Sequence, residues 1–143
     1  MAILRSVAAI VAGIAVFSLL LLGATALGSA LLGGEPEWIN RSLTTQVVWL
    51  IWNVVSMVGA GYVAAAIAPR SPTMHAIVLG AVQSLFTLVA MLTVSDTVTP
   101  QSLWIAGIVT TVPAAWYGAR MRAEAQSEGL TAVARVGARR EGW

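Results

Sequence analysis

The sequence predicts an all-α membrane protein, a bundle of four transmembrane helices. Asp, Glu, Lys and Arg are absent from four long stretches, at residues 6–34, 42–69, 71–95 and 97–119. These stretches contain 29, 28, 25 and 23 residues, and a helix needs about 20 mostly apolar residues to cross the hydrocarbon core. Charged residues make up 10% of the chain, against about a quarter in soluble domains.

Local signals place the ends of the four spans. Arg5 precedes the first span, and Pro69 stops the second. Ser71-Pro72 and Thr99-Pro100 each read as a helix cap followed by a proline at the first helical position. The predicted spans are about 6–32, 44–68, 72–95 and 100–121.

The first segment has a second interpretation, as a cleaved secretory signal. Arg5 would be its basic region and Val7–Leu22 its apolar region, with small residues at 24–30 for cleavage. Cleavage would leave three spans with the orientation of the rest unchanged. The length of the apolar region favours a retained span, because signal peptides carry only about 7–15 such residues.

The arginines predict the orientation. Threading four spans puts seven of the eight arginines on one side and only Arg41 on the other. Short cytoplasmic loops are enriched in Arg and Lys, so both termini are expected in the cytoplasm. The absence of Lys, with abundant Ala, Val and Gly, suggests a bacterial source, and hence a bacterial cytoplasmic membrane. The seven arginines are Arg5, Arg70, Arg120, Arg122, Arg135, Arg139 and Arg140.

A weak internal repeat is consistent with two similar helical hairpins. Residues 44–49 and 99–104 both read T-x-Q-x-x-W, at an offset of 55. Residues 9–13 and 76–80 share a shorter pattern at an offset of 67. The alternative is coincidence in an apolar sequence of low diversity. The tryptophans of the repeat, Trp49 and Trp104, are interpreted as interfacial anchors rather than as a ligand-binding cage.

Small residues recur at four-residue spacing in every span. Lipid is as apolar as Leu, so membrane helices associate where small residues let their backbones approach. The pattern does not distinguish contacts within the chain from contacts between copies. The predicted helix-packing glycines are Gly13, Gly28, Gly59, Gly61, Gly80 and Gly118.

A set of amides and hydroxyls lies well inside the predicted spans. If the helices turn these faces inward, they form an interhelical polar cluster that sets the register of the bundle. The functional alternative is a polar path for a solute. The candidate residues are Asn53, Ser56, Gln83, Thr87, Thr110 and Thr111.

Several chemistries are disfavoured. The chain has no Cys and one His, so thiolate catalysis and multi-histidine metal sites within one chain are excluded. No predicted span carries Asp, Glu, Lys or Arg, groups that proton-coupled pumps generally need near the midplane. We therefore expect no enzymatic activity, no cofactor and no nucleic-acid partner.

Residues 122–143 form a basic cytoplasmic tail. Leu130, Val133 and Val136 recur every three residues beside arginines. This weakly amphipathic segment either lies on anionic lipid, contacts a protein partner, or is disordered, as Gly129 and Gly137 would favour.

The stretch from Gly59 to Pro72, GAGYVAAAIAPRSP, followed by His75 and Gly80, carries a resemblance. It resembles uncharacterised small bacterial membrane proteins of four spans, whose inner loop reads roughly G-G-Y-x-A-A-x-x-A-P-R-x-P before a His. The resemblance implies the four-span topology and no activity. We expect a non-enzymatic structural or accessory subunit that contacts lipid, with a protein partner or further copies of itself. The alternative is a small transporter or channel.

Overall fold

The computed structural model describes residues 2–32, 42–68, 70–93 and 99–140. Side chains are described for residues 3–31, 42–68, 70–93 and 99–131. Every regular element within these ranges is an α-helix. The helices are α1 (Ala2–Leu32), α2 (Leu43–Ile67), α3 (Pro72–Thr93) and α4 (Gln101–Arg140).

Three of the helices are long and apolar enough to cross a membrane. They are α1 between Ile3 and Leu31, α2, and α3. α4 does not reach the same hydropathy, because polar or weakly apolar residues such as Gln101, Ser102 and Thr110 occur among its apolar residues. The first three predicted spans are therefore long and apolar enough to cross a membrane, and the fourth stays a prediction.

Neighbouring helices run in opposite directions. Leu20 and Gly13 of α1 meet Gly59 and Ala64 of α2, respectively, so the two helices are antiparallel. Likewise, Gly80 of α3 lies against α4 at Val112, while Ser84 Oγ donates a hydrogen bond to the Ile108 carbonyl at 3.2 Å. α2 and α4 are parallel, and positions 61 and 62 meet positions 115 and 118.

α1 and α4 lie on opposite sides of the α2–α3 pair. Both contact α2 and α3, but within the described residues they do not contact each other. Because the helices alternate in direction, one end of the bundle carries Arg5, Arg70, Arg120 and Arg122, and we call it the arginine end. The opposite end, where α2 begins, is called the Ser42 end.

The tightly packed core lies in the half of the bundle nearer the arginine end. Its fully buried residues are small, mostly alanines, with Met57 and Leu79 as the largest. Phe17 of α1 completes the cluster from the other side. The core alanines are Ala60, Ala64, Ala65, Ala76, Ala114, Ala115 and Ala119.

Five of the six predicted packing glycines lie at close helix contacts. A Cβ on Gly61 would collide with the Ala115 backbone, and one on Gly118 with the Val58 carbonyl oxygen. A Cβ on Gly80 would lie 2.9 Å from Val112 Cα. Gly13 and Gly59 make similar approaches between α1 and its neighbours. Gly28 instead lines a small cavity beside α1 and α2.

Local hydrogen bonds mark the starts of the helices. Ser42 and Thr45 form a reciprocal capping box at the start of α2, each side chain accepting from the other's backbone N–H at 3.2 Å. α3 begins at Pro72, as predicted, after Ser71, whose φ of 48° is left-handed. The His75 ring nitrogen Nδ1 lies 3.2 Å from the Ser71 carbonyl oxygen, which places His75 at the helix start.

Large apolar side chains cover the outside of the bundle. Leu19, Leu22 and Leu31 of α1 are about 70% exposed, and so are Leu92 of α3 and Val109 of α4. Soluble monomers rarely expose apolar patches of this extent. This surface is therefore consistent with a protein immersed in lipid.

α4 continues beyond the predicted end of its span. The sequence left the order of residues 122–143 open, and the structure describes a helix through Arg140. Arg120 Nε donates to Glu124 Oε1 at 2.9 Å, an exposed ion pair at the point where the helix leaves the bundle. The side chains described beyond it, at residues 123–131, are all exposed.

Candidate functional site

A cavity of about 340 Å³ lies among all four helices in the half of the bundle nearer the Ser42 end. α1 contributes two apolar residues, and the other helices contribute amide, hydroxyl and aromatic groups. The lining residues are Phe17, Leu21, Trp49, Asn53, Gln83, Phe86, Thr87, Ala90, Thr99, Leu103, Trp104, Gly107 and Thr111.

The deepest polar groups lie at one level, and we call Asn53, Gln83 and Thr111 the floor of the cavity. Asn53 and Thr111 lie ten residues after the starts of α2 and α4, and Gln83 lies ten residues before the end of α3. Since a helix rises about 1.5 Å per residue, each is roughly 15 Å from the Ser42 end. That depth is about half of a hydrocarbon core roughly 30 Å thick.

Asn53 is the more deeply buried of the two amides that line the cavity. Its side chain is 7% exposed and lines the cavity. Within the described chain the amide makes no side-chain hydrogen bond, so its two donors and its oxygen are unpaired. Leaving such a group unpaired costs about 1–3 kcal/mol when it is removed from water.

Gln83 of α3 is a second amide on the floor. It is half-buried, and its amide also has no hydrogen-bond partner among the described residues. Its main-chain carbonyl accepts from Thr87 Oγ1 at 2.9 Å. The cavity therefore holds two amides on facing helices, each with donors and an acceptor available.

The hydroxyls of the predicted cluster bond mainly to their own helices. Thr111 Oγ1 donates to the Gly107 carbonyl at 2.6 Å, and Thr110 Oγ1 to the Ala106 carbonyl at 2.8 Å. Thr111 lines the cavity and Thr110 does not. Ser84, which is not one of the candidate residues, instead donates across to the Ile108 carbonyl of α4. The candidate residues therefore lie around a common space rather than being joined to one another by hydrogen bonds.

Ser56 lies one turn further along α2 than Asn53, on the same buried face. It is 1% exposed, and its Oγ has no partner among the described residues. It does not line the cavity. Four of the six candidate polar residues therefore meet at one cavity, and Ser56 and Thr110 lie outside it.

Aromatic rings form the walls. Trp49 and Trp104, which occupy matching positions in the predicted repeat, both line the cavity, from α2 and α4. Phe17 and Phe86, the only two phenylalanines of the chain, line it from α1 and α3. Sequence reasoning named neither phenylalanine. Phe86 lies three residues after Gln83 on α3, and this spacing was an available signal that the two share a helix face. No such signal marks Phe17, because its position depends on which helix faces meet.

A second cavity of about 280 Å³ lies between α1 and α2, also toward the Ser42 end. Its lining is apolar apart from the indole nitrogens, and Trp49 is a wall of both cavities. On its far side, Trp52 Nε1 donates to the Leu20 carbonyl at 2.9 Å. One indole ring therefore separates the polar cavity from an apolar one.

The described lining of the larger cavity carries no group for acid–base catalysis or for binding a metal. Among the residues that the structure describes, the lining includes none of Asp, Glu, Lys, Arg, His or Cys. No cluster of His, Cys, Asp and Glu suited to a metal ion occurs within the described residues. What the cavity offers is neutral hydrogen bonding and aromatic contact.

Comparison of the chain with protein-family models, with curated proteins and with solved structures finds no match. The resemblance carried by residues 59–72 therefore stays a prediction. In the structure this stretch forms the end of α2 and the approach to α3. Its Gly61 and Tyr62 pack against α4.

Proposed function

We propose that the chain crosses the membrane four times, with both termini in the cytoplasm of a bacterial cell. Support for the fourth span comes from the outward face of α4, where Ile105, Val109 and Trp116 are 51%, 65% and 41% exposed. α4 also packs along both α2 and α3. Support for the orientation comes from the arginine end, because Arg and Lys concentrate on the cytoplasmic side.

Single cysteines test this topology, since the chain has none of its own. We expect Ser71→Cys and Ser127→Cys to react with a membrane-impermeant maleimide only after the membrane is opened. Ser42→Cys and Thr99→Cys are expected to react in intact cells. Labelling of Thr99→Cys and Ser127→Cys from the same side would contradict the fourth span.

The function we propose is that of a non-enzymatic accessory subunit. The observation that supports it is the continuation of α4 beyond Arg120 to Arg140. This α4 extension is roughly 30 Å long, since a helix rises about 1.5 Å per residue. It is exposed at every described side chain from Ala123 to Thr131.

Exposure on all sides points to a partner for the α4 extension. Isolated helices of this length are marginal in water, and most helical stability in proteins comes from packing. Gly129 lowers its intrinsic stability further. In the part nearest the bundle, Glu124 and Glu128 balance Arg120 and Arg122, so this part has no net positive charge to attract anionic lipid. These features favour a protein surface as partner over the membrane surface.

Photo-crosslinking in native membranes tests this role. A photoreactive residue at Ala123, Gln126 or Leu130 is expected to give the same discrete adduct, identified by mass spectrometry. The matched control is Val109, which is exposed on the bundle itself and should give lipid adducts. Adducts with a second copy of the chain would identify a homo-oligomer. Absence of any protein adduct from the α4 extension would contradict the accessory role.

A small transporter or channel is the second candidate, favoured by the cavity and its floor at mid-depth. The predicted path of Asn53, Gln83, Thr87 and Thr110 is only partly realised, because Thr110 does not line the cavity. Toward the arginine end the core around Met57 is closely packed. Transport would therefore require the helices to separate there.

Liposome assays distinguish the two candidates. If the pure protein alone moves a solute, transport is supported and the accessory proposal fails. Asn53→Leu and Gln83→Leu should then lower the flux. Unchanged flux in both variants would argue against a path through the cavity.

A further inference from the structure

The packing of the bundle does not explain Asn53. An amide at 7% exposure with no hydrogen bond in the described chain is unfavourable, and hydrocarbon offers it no partner. Yet its side chain faces a cavity large enough for more than isolated waters. The described residues supply no partner for Asn53, and a molecule bound in the cavity would supply one.

We propose that the cavity binds a small neutral molecule that combines a flat apolar ring with a carbonyl or hydroxyl group. The polar group lies at the floor, against Asn53 and Gln83. The ring lies between the aromatic walls. This inference goes beyond the accessory and transport proposals, because binding at equilibrium requires neither a partner protein nor movement across the membrane.

The hydrogen bonds available at the floor define the polar group. The hydroxyl hydrogens of Thr87 and Thr111 are already donated to the carbonyls of Gln83 and Gly107. These hydroxyls can therefore only accept. The amide groups of Asn53 and Gln83 supply the free donors and further acceptors. A ligand oxygen fits as an acceptor from either amide, and a ligand hydroxyl can donate in return.

The walls define the apolar part. Trp49 and Trp104 line the space nearer the Ser42 end, Phe17 lines it from α1, and Phe86, which is 61% exposed, lines its outer edge. Ring faces and edges of this kind favour stacked or edge-to-face contact with a flat ring. At about 340 Å³ the cavity lies at the lower end of ligand pockets, which span roughly 300–1,000 Å³. One or two fused rings match that size.

The ligand is neutral because nothing in the described lining compensates a charge. None of the described residues that line the cavity is ionisable, and a buried ion without a counter-charge loses its hydration without replacement. A purely apolar ring would fill the space but leave the amides unpaired. The two requirements together exclude both ions and plain hydrocarbons as good ligands.

A matched probe series tests the proposal with the full chain in lipid nanodiscs. 2-Naphthol carries the ring and a hydroxyl, naphthalene lacks the polar group, and 2-naphthalenesulfonate is charged. We expect saturable binding of one 2-naphthol per chain above that of empty nanodiscs. Naphthalene should bind at least about threefold more weakly, in line with one lost hydrogen bond. The sulfonate should show no saturable binding.

Variants assign that binding to the cavity. Gly107 lines the cavity, and a Cβ there meets no atom within 4 Å, so Gly107→Phe fills the space without a backbone clash and should abolish binding. Asn53→Leu should weaken the binding of 2-naphthol roughly three- to tenfold and should not weaken the binding of naphthalene. Thr110→Val, beside the floor but outside the cavity, is the matched control and should bind normally.

Several results would overturn the proposal. They are equal binding of naphthalene and 2-naphthol, tightest binding of the sulfonate, no saturable binding of any probe, or normal binding by Gly107→Phe. An unfolding titration shows that each variant is folded, so that a loss of binding is not a loss of structure. Flux and crosslinking assays are separate, so failure here leaves the accessory and transport proposals to their own tests.

Discussion

Replacing Gly118 by alanine should destabilise the bundle strongly. The new Cβ would collide with the Val58 carbonyl oxygen and lie 2.8 Å from the Tyr62 backbone nitrogen. Unstrained contacts are about 3.5–4.0 Å, so α2 and α4 would have to separate by roughly 0.7 Å or more. A gap of about that size removes a quarter to a half of the dispersion energy of each contact it opens.

The expected cost follows from these distances. Overpacking costs about 1–3 kcal/mol, and the upper end applies because the obstructing atoms are backbone and cannot rotate away. The better helix propensity of alanine offsets about 0.5–1 kcal/mol of this cost. We therefore expect Gly118→Ala to lower the free energy of unfolding by about 2 kcal/mol.

Gly107→Ala is the matched control for this change. It lies on the same helix, but a Cβ there meets nothing within 4 Å. Its free energy of unfolding should be unchanged or raised by up to about 1 kcal/mol. Both values are measured by reversible unfolding in mixed micelles with increasing SDS, followed by circular dichroism. If the two variants unfold at the same SDS fraction, the close α2–α4 contact at Gly118 is refuted.

Three further predictions use the same titration. Ser56→Ala should be neutral or stabilising by up to about 1 kcal/mol, because it removes a buried hydroxyl without a described partner; a clear loss of stability would show that Ser56 has a partner. Trp52→Phe should cost about 1 kcal/mol by removing the indole bond to the Leu20 carbonyl, and an unchanged value would show that this bond contributes nothing. Ser42→Ala should cost about 1 kcal/mol and speed hydrogen exchange of the Thr45 amide, since it breaks the capping box; unaltered exchange would argue against the cap.

The helices could be predicted from the sequence because their ends carry unambiguous signals. Arginines and prolines mark the junctions, and the observed start of α3 at Pro72 coincides with the prediction. α4 was predictable only in part. Its prolongation past Arg120 depends on the balance between helix-forming residues and Gly129, and no charge or proline pattern decides that balance.

The small residues predicted that helices touch, but not which helices. Gly61 and Gly118 had to be placed against Ala115 and Val58 by the structure. The reason is that alanine and glycine occur on several faces of each helix, so no single apolar stripe defines the inner side. Polarity located Asn53 and Gln83 within the bundle for the opposite reason, since amides avoid lipid.

The cavity itself could not be predicted. Trp49 and Trp104 were interpreted as interfacial anchors, because tryptophan near a span end is typical of that role. In the structure both residues also line the cavity. A void depends on where side chains fail to fill space between helices, and that depends on interhelical distances set by glycines elsewhere in the bundle.

Because α4 is one continuous helix, events at its two ends are thermodynamically linked. Leu103, Gly107 and Thr111 line the cavity, and the same helix emerges as the α4 extension. Pro113 lies between the two regions and removes one backbone hydrogen bond there. The helix therefore bends more easily at this position than elsewhere. A partner that binds the α4 extension could favour one bend of α4, and that bend could change the shape of the cavity. In that case the partner changes the affinity of the cavity for its ligand by some factor. Reciprocity requires that the ligand change the partner's affinity by the same factor.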